Sequence, residues 1–138
     1  MQSSDLHIGE AYTNREIVEV FKCGNMGGMR RSKQTNTLVL IAKYDNCYRK
    51  NRWDEQTKTL NFMGMGKIGD QSLTYAQNRT LAESGTNGVK VYLFETFDAG
   101  VYQYCGEVML AAQPFEASEP GADGKMRKVI MFPLRRLD

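Results

Sequence analysis

One histidine, three prolines, one tryptophan and three cysteines in 138 residues set the first limits on this chain. The lone histidine, His7, lies near the N-terminus, so no metal-dependent nuclease centre of several His or Asn groups can be assembled here. A Cys–His or Ser–His pair in a folded cleft is excluded on the same ground. Cys23, Cys47 and Cys105 are far apart and form no C-x-x-C, which argues against a zinc knuckle or a disulfide framework and for a reduced, cytosolic setting. No apolar run approaches the roughly 20 residues of a membrane span, and the N-terminus has no signal-peptide core, so no membrane association is expected. Paired acids are scarce. Asp54-Glu55 reads as a solvated loop end. Asp123-Gly124-Lys125 has the look of an acid-x-Lys nuclease motif, but it sits in a Pro/Gly-rich stretch and reads as a turn. No metal and no cofactor are expected, and the chain reads as a binder and not an enzyme.

What is present fits one domain with a single core. Residues 1–12 are polar and read as a flexible lead-in, with the domain over 13–138. The net charge is only +2, but Arg30, Arg31, Lys33, Lys43, Arg49, Lys50 and Arg52 crowd one segment in which Asp45 is the sole acid. Aromatic residues interleave these charges, a pattern suited to polyanions. Thr13-Asn14-Arg15-Glu16 matches a capping box, so a short helix is expected to run to about Lys22. Thr37 to Ala42 is a continuous β-branched and apolar run, the signature of a buried strand. Residues 44–58 read as irregular, and Thr59 to Phe62 as a short strand. Val89–Glu95 and Val101–Val108 flank Asp98-Ala99-Gly100 as a hairpin. Pro114–Gly124 reads as a polar excursion and Arg127–Leu134 as the last strand.

The stretch Phe62-Met63-Gly64-Met65-Gly66-Lys67-Ile68-Gly69-Asp70-Gln71 joins the β-rich front to a helix expected over Gln71 to about Ser84. Asp70 is the expected N-cap, and Leu73, Ala76, Thr80 and Leu81 the expected inner face. Glycines allow close approach of backbone to another group, and a Gly-rich turn before a helix can cradle a phosphate. G-x-G without a Gly-Lys-Ser/Thr ending is a weak nucleotide signal, so a structural turn stands beside the binding loop.

Taken in order, several stretches resemble the SET- and RING-associated (SRA) domain, most closely its bacterial branch at the N-terminus of modification-dependent HNH restriction endonucleases. They are Gly27-Gly28-Met29-Arg30-Arg31-Ser32, Asn36-Thr37-Leu38-Val39-Leu40-Ile41, Arg52-Trp53, Gly64 to Leu73, Asn78 to Ser84, Val91 to Glu95, Tyr102 to Gly106, and Phe132-Pro133-Leu134. The resemblance spans roughly 13–137. It implies an α+β fold, a PUA-like curled β-barrel with flanking helices. It also implies a function: flipping a 5-methyl- or 5-hydroxymethylcytosine out of duplex DNA into a pocket, as the targeting module for a C-terminal nuclease domain outside this chain. A nucleoid-associated cytoplasmic protein follows, with a homodimer left open.

In the family, two aromatics sandwich the base and a nearby acid or amide reads its edge. The second aromatic position is Phe62, and the first is Tyr44 or Tyr48. Asp45 is the nearest carboxylate, with Asn46 and Asn51 as amide candidates. Trp53, Met63, Gly64 and Gly66 complete the expected pocket. Arg30, Arg31, Ser32, Lys33, Arg49, Lys67, Gln71 and Arg79 are expected on the DNA backbone. Phe62 and Met63 stand where the family usually has Tyr and Thr. The connection Lys67-Ile68-Gly69 is too short for the long DNA-inserting finger of eukaryotic relatives. A reader of single-stranded or modified RNA on the same scaffold is the alternative. Each aromatic also has a core-packing reading, strongest for Trp53.

Overall fold

The computed structural model describes residues 1–44 and 51–137. After a single 3-10 turn at Ser3–Asp5 come β1 (Ala11–Tyr12), α1 (Asn14–Phe21) and β2 (Met29–Ser32). β3 (Thr37–Lys43), β4 (Arg52–Asp54) and β5 (Thr59–Met63) follow, then α2 (Ala76–Ala82). The C-terminal half is β6 (Lys90–Asp98), β7 (Val101–Leu110), β8 (Phe115–Pro120) and β9 (Met126–Arg136). The strands form one sheet in the order β2-β3-β6-β7-β9-β5-β4, with β1 added to β7 and β8 to β9. β3 and β6 run parallel; every other pairing among the described residues is antiparallel. The sheet curls without closing, so the expected barrel is an open one.

The local chemistry behind these elements is direct. Thr13 Oγ1 accepts from the Glu16 amide at 3.1 Å and Glu16 Oε1 accepts from the Thr13 amide at 2.9 Å, the capping box that starts α1. Ile17, Val20 and Phe21 face the sheet and bury against Val39, Ile41, Tyr92 and Phe94. The expected hairpin forms as β6 and β7, with Ala99 and Gly100 between them and Gly100 at φ +80°. The other face of the sheet carries the larger core of Leu38, Leu40, Leu60, Phe62, Leu81, Leu93, Phe132 and Leu134. No helix among the described residues is long and apolar enough to cross a membrane.

Several local expectations are corrected. Residues 44–58 contain β4, and the stretch 114–124 contains β8 paired along the whole of β9's first half. Phe115-Glu116-Ala117-Ser118-Glu119-Pro120 needs ladder bonds on one side only, so its polarity and its proline are tolerated at an edge. Gly9, Glu10 and β1 bond along β7, which ties residues 9–12 to the sheet. The helix expected from Gln71 begins only at Ala76. Asp70 does not cap it: its Oδ1 accepts from the Lys128 amide at 2.8 Å, and the Gln71 amide donates to Lys128 O at 2.9 Å. Residues 70–71 are thus held alongside β9, a tertiary choice that overrides helix propensity. Leu73, expected inside, is 41% exposed, and the inner face belongs to Asn78 and Leu81.

Candidate functional site

The Gly-rich turn leaves β5 at Met63 and meets the loop before β2. Between them lies a cavity of about 160 Å³ lined by Gly27, Gly28, Met29, Ile41, Asn51 and the run Phe62 to Lys67. Its walls are mainly apolar side chain and glycine backbone. Phe62 is only 2% exposed and packs in the main core, and it also forms part of this wall. Met26 and Ile68, 81% and 65% exposed, adjoin in sequence the lining residues Gly27 and Lys67.

Buried polar side chains hold the turn in shape. Asn78, fully buried on α2, accepts from the Met65 amide at 2.7 Å and donates to Met65 O and Ser72 O. Gly64 passes so close to it that a Cβ there would lie 2.7 Å from Asn78 Oδ1. Gln71 donates to Gly64 O and Gly66 O and accepts from the Ile130 amide at 2.8 Å. Arg127 Nη1 donates to Gly66 O at 2.7 Å and to Gly69 O, while its Nε and Nη2 are buried with no partner. Asn51 bonds the Met63 amide and Lys43 O, so its amide braces the cavity wall. Sequence reasoning missed Asn78 and Arg127, because a buried Asn or Arg is recognisable only from the carbonyls and amides that the fold brings to it.

The predicted site residues divide into four groups. Phe62, Met63, Gly64, Gly66 and Lys67 come together at the cavity. Asp45, Asn46, Tyr48 and Arg49 lie outside the described residues. Tyr44 and Trp53 are gathered elsewhere, around Glu95 of β6. Glu95 Oε2 accepts from Tyr44 Oη at 2.6 Å and from Trp53 Nε1 at 2.8 Å, and Oε1 accepts from Cys105 Sγ at 3.1 Å. Tyr44 also stacks on Phe97, with ring centres 5.1 Å apart. Burial, reinforced by the Glu95 carboxylate, pushes both the Tyr44 hydroxyl and the Cys105 thiol well up from their ordinary pKa values, so both stay neutral donors.

The residues expected on the DNA backbone form the fourth group, with mixed placement. Arg30 is buried: Nε donates to Gly27 O at 3.0 Å, Nη1 to Asn14 Oδ1 at 2.6 Å, and the guanidinium lies over the Tyr102 ring. Its charge therefore locks the loop before β2 and is not presented to solvent. Arg31 donates to Ser32 O, Thr37 O and Asn36 Oδ1, which ties it across the β2–β3 hairpin. Ser32 is buried, accepting from the Thr35 amide, and Gln71 is buried with its amide engaged as above. Lys33, Lys67 and Arg79 are exposed, with Arg79 paired to Glu83 at 3.3 Å. Asp54 and Asp123 accept from amides two residues on, as turn residues do. Among the described residues no cluster of three His, Cys, Asp or Glu could hold a metal ion.

With this geometry, the sheet can be set beside known proteins. The structure of the sulfur binding domain and SRA domain of ScoMcrA with phosphorothioated DNA superposes at TM-score 0.75 and 20% identity, covering 95% of this chain and 40% of that one. The DNA recognition domain of LpnPI, a cytosine modification-dependent restriction endonuclease, gives 0.74 at 16% identity, over 96% of this chain and 74% of that one. The SUVH5 SRA domain with hemimethylated CG DNA gives 0.66 at 18% identity, over 96% and 90%. These likenesses show the shared fold, and this chain spans only 28% of the length of the restriction endonuclease ScoMcrA. No curated protein sequence matches. The sequence pattern of the ScoMcrA-like SRA domain matches residues 8–138, nearly the whole chain: the protein belongs to that family of SRA domains.

Proposed function

We propose that this domain recognises a modified cytosine in duplex DNA by taking the base into the cavity between the Gly27–Met29 and Phe62–Lys67 segments. The supporting observation is the cavity itself. It is apolar, opens between two glycine-bearing loops, and at about 160 Å³ is slightly larger than the roughly 150 Å³ apolar cavity that admits a benzene ring. In this reading Phe62 offers a ring wall and Met63 borders the substituent on the base. The second ring and the edge-reading group come from Tyr44 or Tyr48 and from Asp45 or Asn46, as the resemblance implies. Tyr44 must leave Glu95 and Phe97 to reach a base; the edge-reading role does not fall to Asn51, whose amide is engaged. Extrusion costs a few kcal/mol of unstacking, against about 1–3 kcal/mol recovered per aromatic stack. Met26 and Ile68, exposed and next in sequence to the cavity residues Gly27 and Lys67, are apolar side chains suited to entering the base stack. Exposed Lys33 and Lys67 supply sequence-independent grip on phosphates. The chain serves as the targeting module of a larger nuclease.

The test is competition binding with matched methylated, hydroxymethylated and plain duplexes, and single-stranded RNA as a further competitor. Met63→Thr should shift preference among the cytosine modifications more than overall affinity. Phe62→Ala should lose on the order of 1–3 kcal/mol specifically on modified duplex. Because a core Phe→Ala also costs about 3–5 kcal/mol of stability, Phe62→Leu is carried as a folded control that still lacks the ring. Unchanged preference in both Met63→Thr and Phe62→Leu would remove the cavity from recognition, and tighter binding of single-stranded RNA would replace the ligand.

A further inference from the structure

The interior of the curled sheet opens a second time, at the other end of β5. Met63 and Gly64 line the first cavity, whereas Thr57 and Lys58 line the second. The five residue steps from Lys58 to Met63 place the two ends roughly 17 Å apart at the rise of a strand. This second opening is the larger, about 630 Å³, and its walls come from β4, β6, β7 and β9 together with the β4–β5 turn. Mouths of curled sheets and barrels are common ligand sites, and this volume falls in their range.

Its chemistry is of three kinds in one place. The first is an acceptor. Glu95 Oε2 already takes two hydrogen bonds and Oε1 takes one, so of about four carboxylate acceptor positions one remains, on Oε1. That oxygen shares its existing bond with a thiol, a weak donor that a stronger N–H can displace. The second is a flat apolar wall: Trp53 lines the cavity with its indole N–H committed to Glu95, which leaves the ring face for contact. The third is positive charge. Lys58, Arg135 and Arg136 line the rim and are exposed, and none is in the ion pairs formed among the described residues, Arg15–Glu19, Arg52–Glu119 and Arg79–Glu83. Glu55 is the one acid on the rim that opposes an anion there.

We propose that this mouth is a second ligand site, for a nucleotide: the base lies against Trp53 and donates an N–H to Glu95, and the phosphate is held by Arg135, Arg136 and Lys58. Each component selects. An inorganic anion uses the rim and ignores Trp53 and Glu95. A carboxylate-bearing ligand is repelled at the floor by Glu95. A nucleoside satisfies the floor and leaves the cations unmet. The proposal does not rest on the reading of the first cavity, and the two are separable by experiment.

Trp53 is the only tryptophan in the chain, so its emission reports this site directly. The folded domain is titrated with nucleoside 5′-monophosphates, the corresponding nucleosides, inorganic phosphate and a short single-stranded oligonucleotide, exciting where nucleotides do not absorb. Monophosphates should change the emission saturably, and nucleosides should bind about tenfold or more weakly, as expected for losing charge-assisted contacts. Binding of the oligonucleotide as tight as that of the monophosphate assigns the site to a DNA or RNA strand; binding of the monophosphate alone assigns it to a free nucleotide. The double substitution R135Q/R136Q, at exposed positions, should weaken the monophosphate about tenfold while keeping the preference for modified over plain duplex. Met63→Thr should leave the Trp53 response unchanged. The proposal fails if millimolar monophosphate gives no saturable change. It also fails if inorganic phosphate or nucleoside acts equally well, if R135Q/R136Q binds as before, or if Met63→Thr abolishes the response.

Discussion

Replacing Gly64 by alanine tests how tightly the Gly-rich turn is built. The position has no positive φ, so the effect is one of space alone. The new Cβ would lie 2.7 Å from Asn78 Oδ1, 3.1 Å from Asn78 Cγ and 3.2 Å from Phe132 Cε2. Neither neighbour yields cheaply. Phe132 is fully buried between β5 and β7, and Asn78 is fully buried while bonding both Met65 backbone groups and Ser72 O. Relaxation by overpacking costs about 1–3 kcal/mol, and turning Asn78 away strands buried polar groups at about 1–3 kcal/mol each. The two routes are alternatives, so the cheaper one sets the cost and Gly64→Ala should lose on the order of 1–3 kcal/mol. Gly69→Ala is the contrast. It has open space around it but φ +75°, so its cost should be the left-handed penalty, about 1–2 kcal/mol. Urea unfolding of both variants measures this, with a cycle through Asn78→Ala to expose the coupling. A Gly64→Ala loss below about 0.5 kcal/mol, or strict additivity with Asn78→Ala, would refute the close approach as the reason for glycine.

Arg30→Ala should lower stability by about 1–3 kcal/mol and leave the salt dependence of DNA binding unchanged, because its guanidinium bonds Gly27 and Asn14. Lys67→Ala should do the reverse, flattening the log–log salt slope by about 0.9 in duplex titrations at several ionic strengths. The purified chain should bind modified duplex without cutting it, with or without Mg²⁺, as read on a supercoiled plasmid. Stability should also decline in alkali. Burial pushes the Tyr104 hydroxyl from 10.0 up to about 12, so the protonated folded form keeps a proton that the unfolded chain loses. That contribution is complete below about pH 10 and disappears as the pH climbs toward 12; urea midpoints for the parent and Tyr104→Phe over that window should differ in slope.

The amino-acid sequence by itself determined the elements that local chemistry specifies. The Thr13–Glu16 capping box, the β-branched run of β3 and the Gly100 hairpin are each written within a dozen residues, and each formed as read. The ordered motifs determined the family as well. One wall of the cavity beside the Gly-rich turn was also legible, since Phe62 through Lys67 stay neighbours whatever the fold does around them. Tertiary structure decided the rest. β8 exists because β9 offers it an edge, and the helix after the turn starts late because the Asp70 and Gln71 side chains first accept hydrogen bonds from the amides of β9. It also decided which charges reach solvent: Arg30 and Lys67 look alike in a sequence, yet one is folded under its own loop and the other stands at the cavity. Glu95 is the plainest case. It collects Tyr44, Trp53 and Cys105, from positions 42 to 51 residues before it and 10 after it, into one cluster. Contacts over such separations follow from strand order and register, which no local pattern encodes.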